Sequence, residues 1–216
     1  KLLKIDYDDF IRTTEDRHRL SVQKLWKALI DNGDIYRDKY EGWYDVKEEA
    51  YITETEIKEQ GIEPDGVRIK RMSEDAYFVR LSKYRDELIR LHEENPEMAA
   101  PDFRRREVLN SFLRQDIPDL CISRSSLTWG IPVPDVPDHV VYVWFDALIN
   151  YITAAGYGHD EEKFQRLWPA EVHVIGKDIL KFHCVYWPAF LMAAGIPLPK
   201  QVFAHGFINV LRPGSE

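Results

Sequence analysis

Cysteine is nearly missing from these 216 residues: Cys121 and Cys184 are the only two, 63 positions apart. That excludes a disulfide framework and a cysteine-built zinc cluster, and it favours a reducing compartment. Long apolar runs are missing as well. None approaches the ~20 residues that cross a bilayer, and the longest, at 184–194, is interrupted by Trp187-Pro188. Lys1-Leu2-Leu3-Lys4-Ile5-Asp6 holds no signal-peptide core, so secretion has no support. A positive charge balance is also lacking. Lys and Arg total 29 against 37 Asp and Glu, a net −8, which argues against wholesale neutralisation of a nucleic-acid backbone. Arg104-Arg105-Arg106 is left as a local basic spot, either a phosphate contact or a solvated helix start. Walker A, a strand-linked Gly-x-Gly-x-x-Gly, His-Glu-x-x-His and a nucleophile elbow are all absent. P-loop hydrolases, nicotinamide dehydrogenases with the usual fingerprint, zincins and α/β-hydrolases lose support accordingly.

What is present is a globular composition, 44% hydrophobic, 12% aromatic and 31% charged, of a length that suits one large domain or one domain with an insertion. Residues 14–33 read as a helix: Leu20, Val22, Leu25, Trp26, Leu29 and Ile30 follow a 3.6-residue period, Thr13 and Thr14 offer capping, and Asn32-Gly33 ends it. Residues 36–118 read as an α+β insertion. Short strands or turns are expected at 40–44 and 50–53, a turn-rich tip at 61–66, and helices over 82–94 and 105–114, the first stopped by Asn95-Pro96. From 139 the pattern becomes strand and helix in alternation: strands at 139–145, 172–176 and 201–205, helices at 146–155 and 178–194 closed by Gly156 and Gly195. Continuous apolar strands alternating with helices predict an α/β fold, a βαβαβ half of a Rossmann-like parallel sheet. Such a sheet binds ligands at the carboxyl ends of its strands, here the turns Trp144-Phe145-Asp146, Gly176-Lys177-Asp178 and His205-Gly206-Phe207.

Each turn has two readings. Gly176 permits close approach of a ligand to a helix N-terminus, and Asp178 suits ribose hydroxyls, yet Asp is also an ordinary helix cap. Trp144, Ala147, Leu148 and Tyr151 share one helical face; Ile179, Phe182, His183, Tyr186 and Trp187 share another. Together they would enclose a slim, polarizable group such as a thioether, or simply pack as core. His183 is a pocket group or a hydrogen-bonded core histidine. Arg124 is a carboxylate or phosphate clamp or a solvated loop arginine.

The ordered set of segments is more specific than any one of them. Ile11-Arg12-Thr13-Thr14-Glu15-Asp16-Arg17-His18, Tyr40-Glu41-Gly42-Trp43-Tyr44, Ile122-Ser123-Arg124, Trp129-Gly130-Ile131-Pro132-Val133-Pro134, Tyr142-Val143-Trp144-Phe145-Asp146-Ala147-Leu148, Val174-Ile175-Gly176-Lys177-Asp178-Ile179, Tyr186-Trp187-Pro188-Ala189-Phe190 and Phe203-Ala204-His205-Gly206 follow in sequence. In that order and spacing, along almost the whole chain, they closely resemble the methionyl-tRNA synthetase family in its bacterial and organellar form.

The resemblance implies a class I synthetase: a Rossmann-like catalytic domain at 1–35 and 119–216, interrupted by a connective-peptide insertion at 36–118. It implies methionine, ATP with Mg2+ and the initiator and elongator methionine tRNAs as substrates, and no membrane. The family's methionine pocket maps onto Trp144, Ala147, Leu148, Tyr151, Ile179, Phe182, His183 and Tyr186, and its ATP contacts onto Gly176, Asp178, His205, Gly206 and Ile208. Arg124 matches the arginine that the family uses near the reacting phosphates. Three departures accompany the match. The HIGH motif is expected upstream of residue 1, and the KMSKS loop about ten residues after Gly206, so the chain is expected to be a core fragment unable to complete adenylation alone. The segment Tyr44-Asp45-Val46-Lys47-Glu48-Glu49-Ala50 carries no cysteine where many members hold a zinc knuckle, so no structural zinc is expected. The cytoplasm, or an organelle matrix, is the expected compartment. Synthetases for valine, isoleucine or leucine usually carry a far larger editing insertion than 36–118 allows. A non-catalytic synthetase-like module and a nicotinamide oxidoreductase are the remaining alternatives.

Overall fold

The computed structural model describes residues 4–47, 50–52, 54–59 and 61–208. Of the stretches discussed above, residues 1–3, Glu48, Glu49, Thr53 and 209–216 lie outside the described residues.

Helix α1 (Asp16–Asp31) buries His18, Ser21, Val22, Leu25, Trp26 and Leu29, a single stripe set by the 3.6-residue period. Leu20 and Ile30, expected on that stripe, are exposed. Glu15 rather than a threonine stands at the cap; its carboxylate accepts the Arg12 N–H at 2.9 Å. Gly33, at φ +72°, takes the left-handed turn that ends the helix.

Strands β1 (Ile35–Asp45) and β3 (Ile69–Val79) form an antiparallel ladder from Ile35↔Val79 to Asp45↔Ile69. Strand β2 (Ala50–Ile52) pairs on the outer side of β1, and helix α2 (Glu54–Glu59) lies between β2 and β3 in sequence. These strands run well beyond the short ones expected. Alternation is hidden in the sequence because the half-buried face is built from Tyr36, Tyr40 and Phe78, whose rings pack together. At the far end of the ladder Arg68 closes on the buried Asp45 at 2.8 Å.

Helix α3 (Arg85–Glu94) leads to strand β4 (Ala99–Ala100) and helix α4 (Asp102–Glu107), which continues as a wide π-helical turn over Val108–Leu113. His92 on α3 donates from Nε2 to the Cys184 carbonyl at 2.9 Å. Strand β5 (Leu120–Cys121) then completes the first sheet, in the order β2-β1-β3-β5.

A second antiparallel sheet joins β6 (Ser123–Arg124), β7 (Pro132–Val133) and β8 (Val136–Val141) in the order β6-β8-β7. This corrects the strand expected over 139–145. It ends at Val141 and has antiparallel neighbours, because the Tyr142 carbonyl accepts the N–H groups of Phe145 and Asp146 and so opens helix α5 (Val143–Leu148). An apolar run cannot distinguish a parallel partner from an antiparallel one. Helix α6 (Asn150–Ala155) follows directly and stops at Gly156, at φ +116°, where a side chain would strike the Asp160 carbonyl. The sequence shows no apolar period for helix α7 (Glu161–Leu167), in which Glu161, Glu162, Lys163 and Arg166 are charged and only Phe164 is buried.

The third sheet is the parallel one. Strand β9 (His173–Gly176) leads through a 3-10 turn (Lys177–Ile179) and a π-helical turn (Phe182–Tyr186) into α8 (Trp187–Ala193), and β10 (Val202–His205) returns beside β9. The third strand is β4: Val202 pairs with Ala99 and Phe203 with Ala100. Residues 99–100, from the middle of the chain, therefore share a sheet with its C-terminal part. The core lies where α1, α5 and α8 meet, with Phe145 centred 5.6 Å from Trp26 and 5.0 Å from Phe190.

Candidate active site

The two long parallel strands end side by side, and Gly176 is the register partner of His205. Gly176 has ordinary extended backbone, but a side chain there would come within 2.5 Å of Asp178 Oδ1, so the glycine makes room for that carboxylate. Asp178 stands exposed on the following turn. His205 turns its Nδ1 to the Gly206 carbonyl at 2.7 Å, and Gly206 and Ile208 are open to solvent beyond it. Lys177 Nζ lies over the Phe207 ring at 4.4 Å. Gly176, Asp178, His205 and Gly206 thus gather at one sheet edge, as the strand pattern predicts.

Alongside it, α5 and α6 face the helix that follows β9. Trp144 stacks on Phe182 with ring centroids 3.6 Å apart, and Tyr186 meets Phe182 edge-on at 5.4 Å. Tyr151 Oη lies 2.7 Å from His183 Nε2, and His183 Nδ1 lies 2.9 Å from the Ile179 carbonyl. A carbonyl only accepts, so Nδ1 carries the proton. Neutral His183 then accepts the Tyr151 hydroxyl at Nε2. Burial keeps the ring in that form by lowering its pKa, against the opposing pull of the Ile179 carbonyl. Burial also pushes the Tyr151 hydroxyl up to about 12. Ala147 lines an adjoining cleft and Leu148 is fully buried behind it. Trp144, Phe182 and Tyr186 therefore form one aromatic group, with Lys181 Nζ 5.4 Å from the Tyr186 ring centre, and Tyr151, His183 and Ile179 form a second, which meets the first through the neighbouring residues Phe182 and His183.

Arg124 stands on a different wall. The cleft, about 470 Å³, is lined by Arg124, Thr13, Trp129, Tyr142, Asp146 and Ala147 among others. The guanidinium lies 4.4 Å from the Tyr142 ring centre and 5.2 Å from that of Tyr40, and Nη1 donates to the Ser123 carbonyl at 2.9 Å. Burial raises the pKa of both tyrosines while the guanidinium opposes it. Asp146 is held from behind: His18 Nε2 lies 2.6 Å from its Oδ1, and His18 Nδ1 lies 3.0 Å from Thr153 Oγ1. His18 is completely buried. Leucine in its place would strip Asp146 of this partner, with an expected loss of about 1–3 kcal/mol. Urea denaturation would read it as a lower midpoint at unchanged m-value; an unchanged midpoint would show the pair to be dispensable. Among the described residues, no three His, Cys, Asp or Glu side chains are grouped to hold a metal ion, and no helix is long and apolar enough to cross a membrane.

A family model described as tRNA synthetases class I (M) matches residues 1–65 and 63–212. The chain belongs to the class I methionyl-tRNA synthetase family. It is 49% identical over 220 residues to the methionine–tRNA ligase of Halalkalibacterium halodurans, covering 96% of this chain and 33% of that one. It is 52% identical over 211 residues to the enzyme of Clostridium perfringens, covering 97% and 33%. The crystal structure of Mycobacterium tuberculosis methionyl-tRNA synthetase bound by methionyl-adenylate superposes with a TM-score of 0.83 at 46% identity, over 95% of this chain and 42% of that one. The apo form of that synthetase gives 0.80 at 47% identity, over 94% and 42%. The chain thus spans about a third of the length of the curated relatives it matches, and its fold is a class I synthetase fold with mixed α/β content and several small sheets.

Several residues of the candidate site escape sequence reasoning. His18 and Asp146 lie 128 positions apart and carry no local signal that joins them. His173 reads only as a strand residue, although it stacks on Tyr151 at 4.0 Å. Tyr142 reads as part of an apolar strand, yet it supports Arg124.

Proposed function

We propose that the chain supplies part of the catalytic core of a methionine–tRNA ligase. The reaction joins a methionine carboxylate oxygen to the α-phosphorus of ATP with release of pyrophosphate, and a hydroxyl of the 3′-terminal ribose of a methionine tRNA then takes the methionyl group as AMP leaves. The observation that carries this reading is the uncharged aromatic cluster of Trp144, Phe182, Tyr151 and His183 beside the carboxyl ends of β9 and β10. A thioether is polarizable and uncharged, and such walls suit it through sulfur–aromatic contact. Trp144, Ala147, Leu148, Tyr151, Ile179, Phe182, His183 and Tyr186 form the methionine side. Gly176, Asp178, His205, Gly206 and Ile208 form the ATP side, with Asp178 accepting ribose hydroxyls. Arg124 neutralises charge that builds on the phosphates, and Mg2+ enters with ATP as part of the substrate. Adenylation asks for alignment and charge stabilisation rather than a side-chain nucleophile, which agrees with the residues gathered here.

The parallel trio β4, β10 and β9 is read as part of a Rossmann-like sheet. We assign 1–35 and 119–216 to the catalytic domain and the insertion within 36–118 chiefly to the β2-β1-β3 ladder, because β4 pairs with β10. The cytoplasm is the compartment that suits this role, with an organelle matrix as the other.

The test is amino-acid-dependent ATP–pyrophosphate exchange on the intact protein that contains this chain. Exchange with methionine, and none with leucine, isoleucine or valine, is the expected result; exchange with one of those three would overturn the pocket assignment. Alanine at Gly176 gives a finer check. Its methyl group must displace the Asp178 carboxylate without disturbing the backbone, so stability is expected to hold within about 0.5 kcal/mol. The ATP KM should rise several-fold while the methionine KM stays put. Equal KM values for ATP in the two proteins would remove Asp178 from the ATP side.

A further inference from the structure

Behind the Tyr151–His183 pair stands a second, buried layer. His173, the first residue of β9, lies flat against the Tyr151 ring, with centroids 4.0 Å apart and planes 25° apart. Trp187, at the start of α8, brings its Nε1 to 3.2 Å from His173 Nε2. Both side chains are buried. An indole N–H can only donate, so His173 Nε2 must keep its lone pair, and the ring is neutral with its proton on Nδ1. Burial and the nearby His183 support that state by lowering the His173 pKa to about 4. Four side chains from four elements therefore form one directed chain. Trp187 fixes the orientation of His173, His173 supplies a flat face for Tyr151, and Tyr151 spends its only proton on His183, whose other nitrogen is tied to the Ile179 carbonyl.

We propose that His173 and Trp187 are positioning residues for amino-acid selection, holding the Tyr151 ring so that its hydroxyl donates to His183. This rests on the methionine reading of the cluster. Neither residue would touch the amino acid; each acts through Tyr151. Loss of the Trp187 donor frees His173 to rotate or change tautomer, and loss of the His173 ring leaves Tyr151 without its stacking face. In either case the walls that meet the side chain of the amino acid shift, while the ATP side at Gly176 and Asp178 is untouched.

The experiment is steady-state ATP–pyrophosphate exchange on the intact protein with Trp187→Phe, His173→Phe, His173→Leu and the Trp187→Phe/His173→Phe pair. Trp187→Phe keeps the bulk and removes only the N–H. It is expected to raise the methionine KM about three- to tenfold, leaving the ATP KM within about twofold. His173→Leu should raise the methionine KM more than tenfold, and His173→Phe, which restores a flat ring, should recover part of that loss. The double variant should be no worse than His173→Phe alone, because the donor has no acceptor left to orient. If Trp187→Phe leaves the methionine KM unchanged, or raises the methionine and ATP KM values together, the proposal fails. Should the leucine variant not fold, Trp187→Phe decides alone. Absence of methionine-dependent exchange in the unsubstituted protein would sink the functional reading first, and this proposal with it. Exchange in that protein together with unmoved variants would sink this proposal only.

Discussion

Alanine at Asp178 is expected to lower kcat/KM for ATP by about 10- to 150-fold while the methionine KM changes little. The carboxylate is exposed at the head of the turn after β9, so its removal costs the fold almost nothing. What is lost is a charge-assisted hydrogen bond to a ribose hydroxyl, worth about 1.5–3 kcal/mol, and that range converts to the rate loss given. Exchange kinetics on the intact protein with ATP as the varied substrate would check it, with thermal unfolding as the control. Asparagine should recover only part of the loss, since it offers a carbonyl acceptor without the charge. A wild-type ATP dependence in the alanine variant would leave Asp178 as a turn residue and move ribose recognition elsewhere.

Acid should destabilise the protein well above the range in which carboxylates titrate. His92, His173 and His183 are buried, and burial lowers the pKa of each, that of His173 to about 4. In the unfolded chain a histidine takes its proton near pH 6.5. Below that pH the unfolded state binds protons that the folded state refuses, so stability is full above about pH 6.5 and falls as pH drops. His173 alone contributes a loss of about 1.4 kcal/mol per pH unit down to about pH 4, on the order of 3 kcal/mol across the window. Urea midpoints at pH 7.5, 6 and 5 would show the decline, and His173→Phe should flatten it. A midpoint constant from pH 7.5 to 5 would mean that the folded and unfolded states take up the same protons, so that burial does not hold these rings neutral.

Much of the molecule can be read from the chain where one face is clearly apolar. The helix at Asp16–Asp31 and the strands at His173–Gly176 and Val202–His205 lie within two residues of their expected bounds. The long β1–β3 ladder is harder to read, because tyrosines and charges are interleaved along 36–44 and only the ends of β1 are deeply buried. Helix α7 shows no apolar stripe, and β4 is too short to display a period. The end of β8 depends on where Tyr142 turns the chain, a choice made by two backbone hydrogen bonds rather than by hydrophobicity. At the candidate site the residue types could be recognised but their connections could not. Tyr151 and His183 share the aromatic faces that the helical spacing predicts, whereas His173 and the His18–Asp146 pair are joined only by tertiary packing.

The wide turn at Phe182–Tyr186 makes the site sensitive to residue count as well as residue type. A π-helical turn holds one residue more than regular helix, and such turns concentrate at functional positions. Removing one residue between 182 and 186 would let that turn close into regular helix, so the segments on either side would keep their phase. Trp187, Phe190 and Leu191 would stay in the core they fill, while Phe182 and His183 would swing away from Trp144 and Tyr151. A single-codon deletion here is therefore expected to spare the fold and spoil the site, because the surplus residue serves the direction of two side chains and not the packing of the helix.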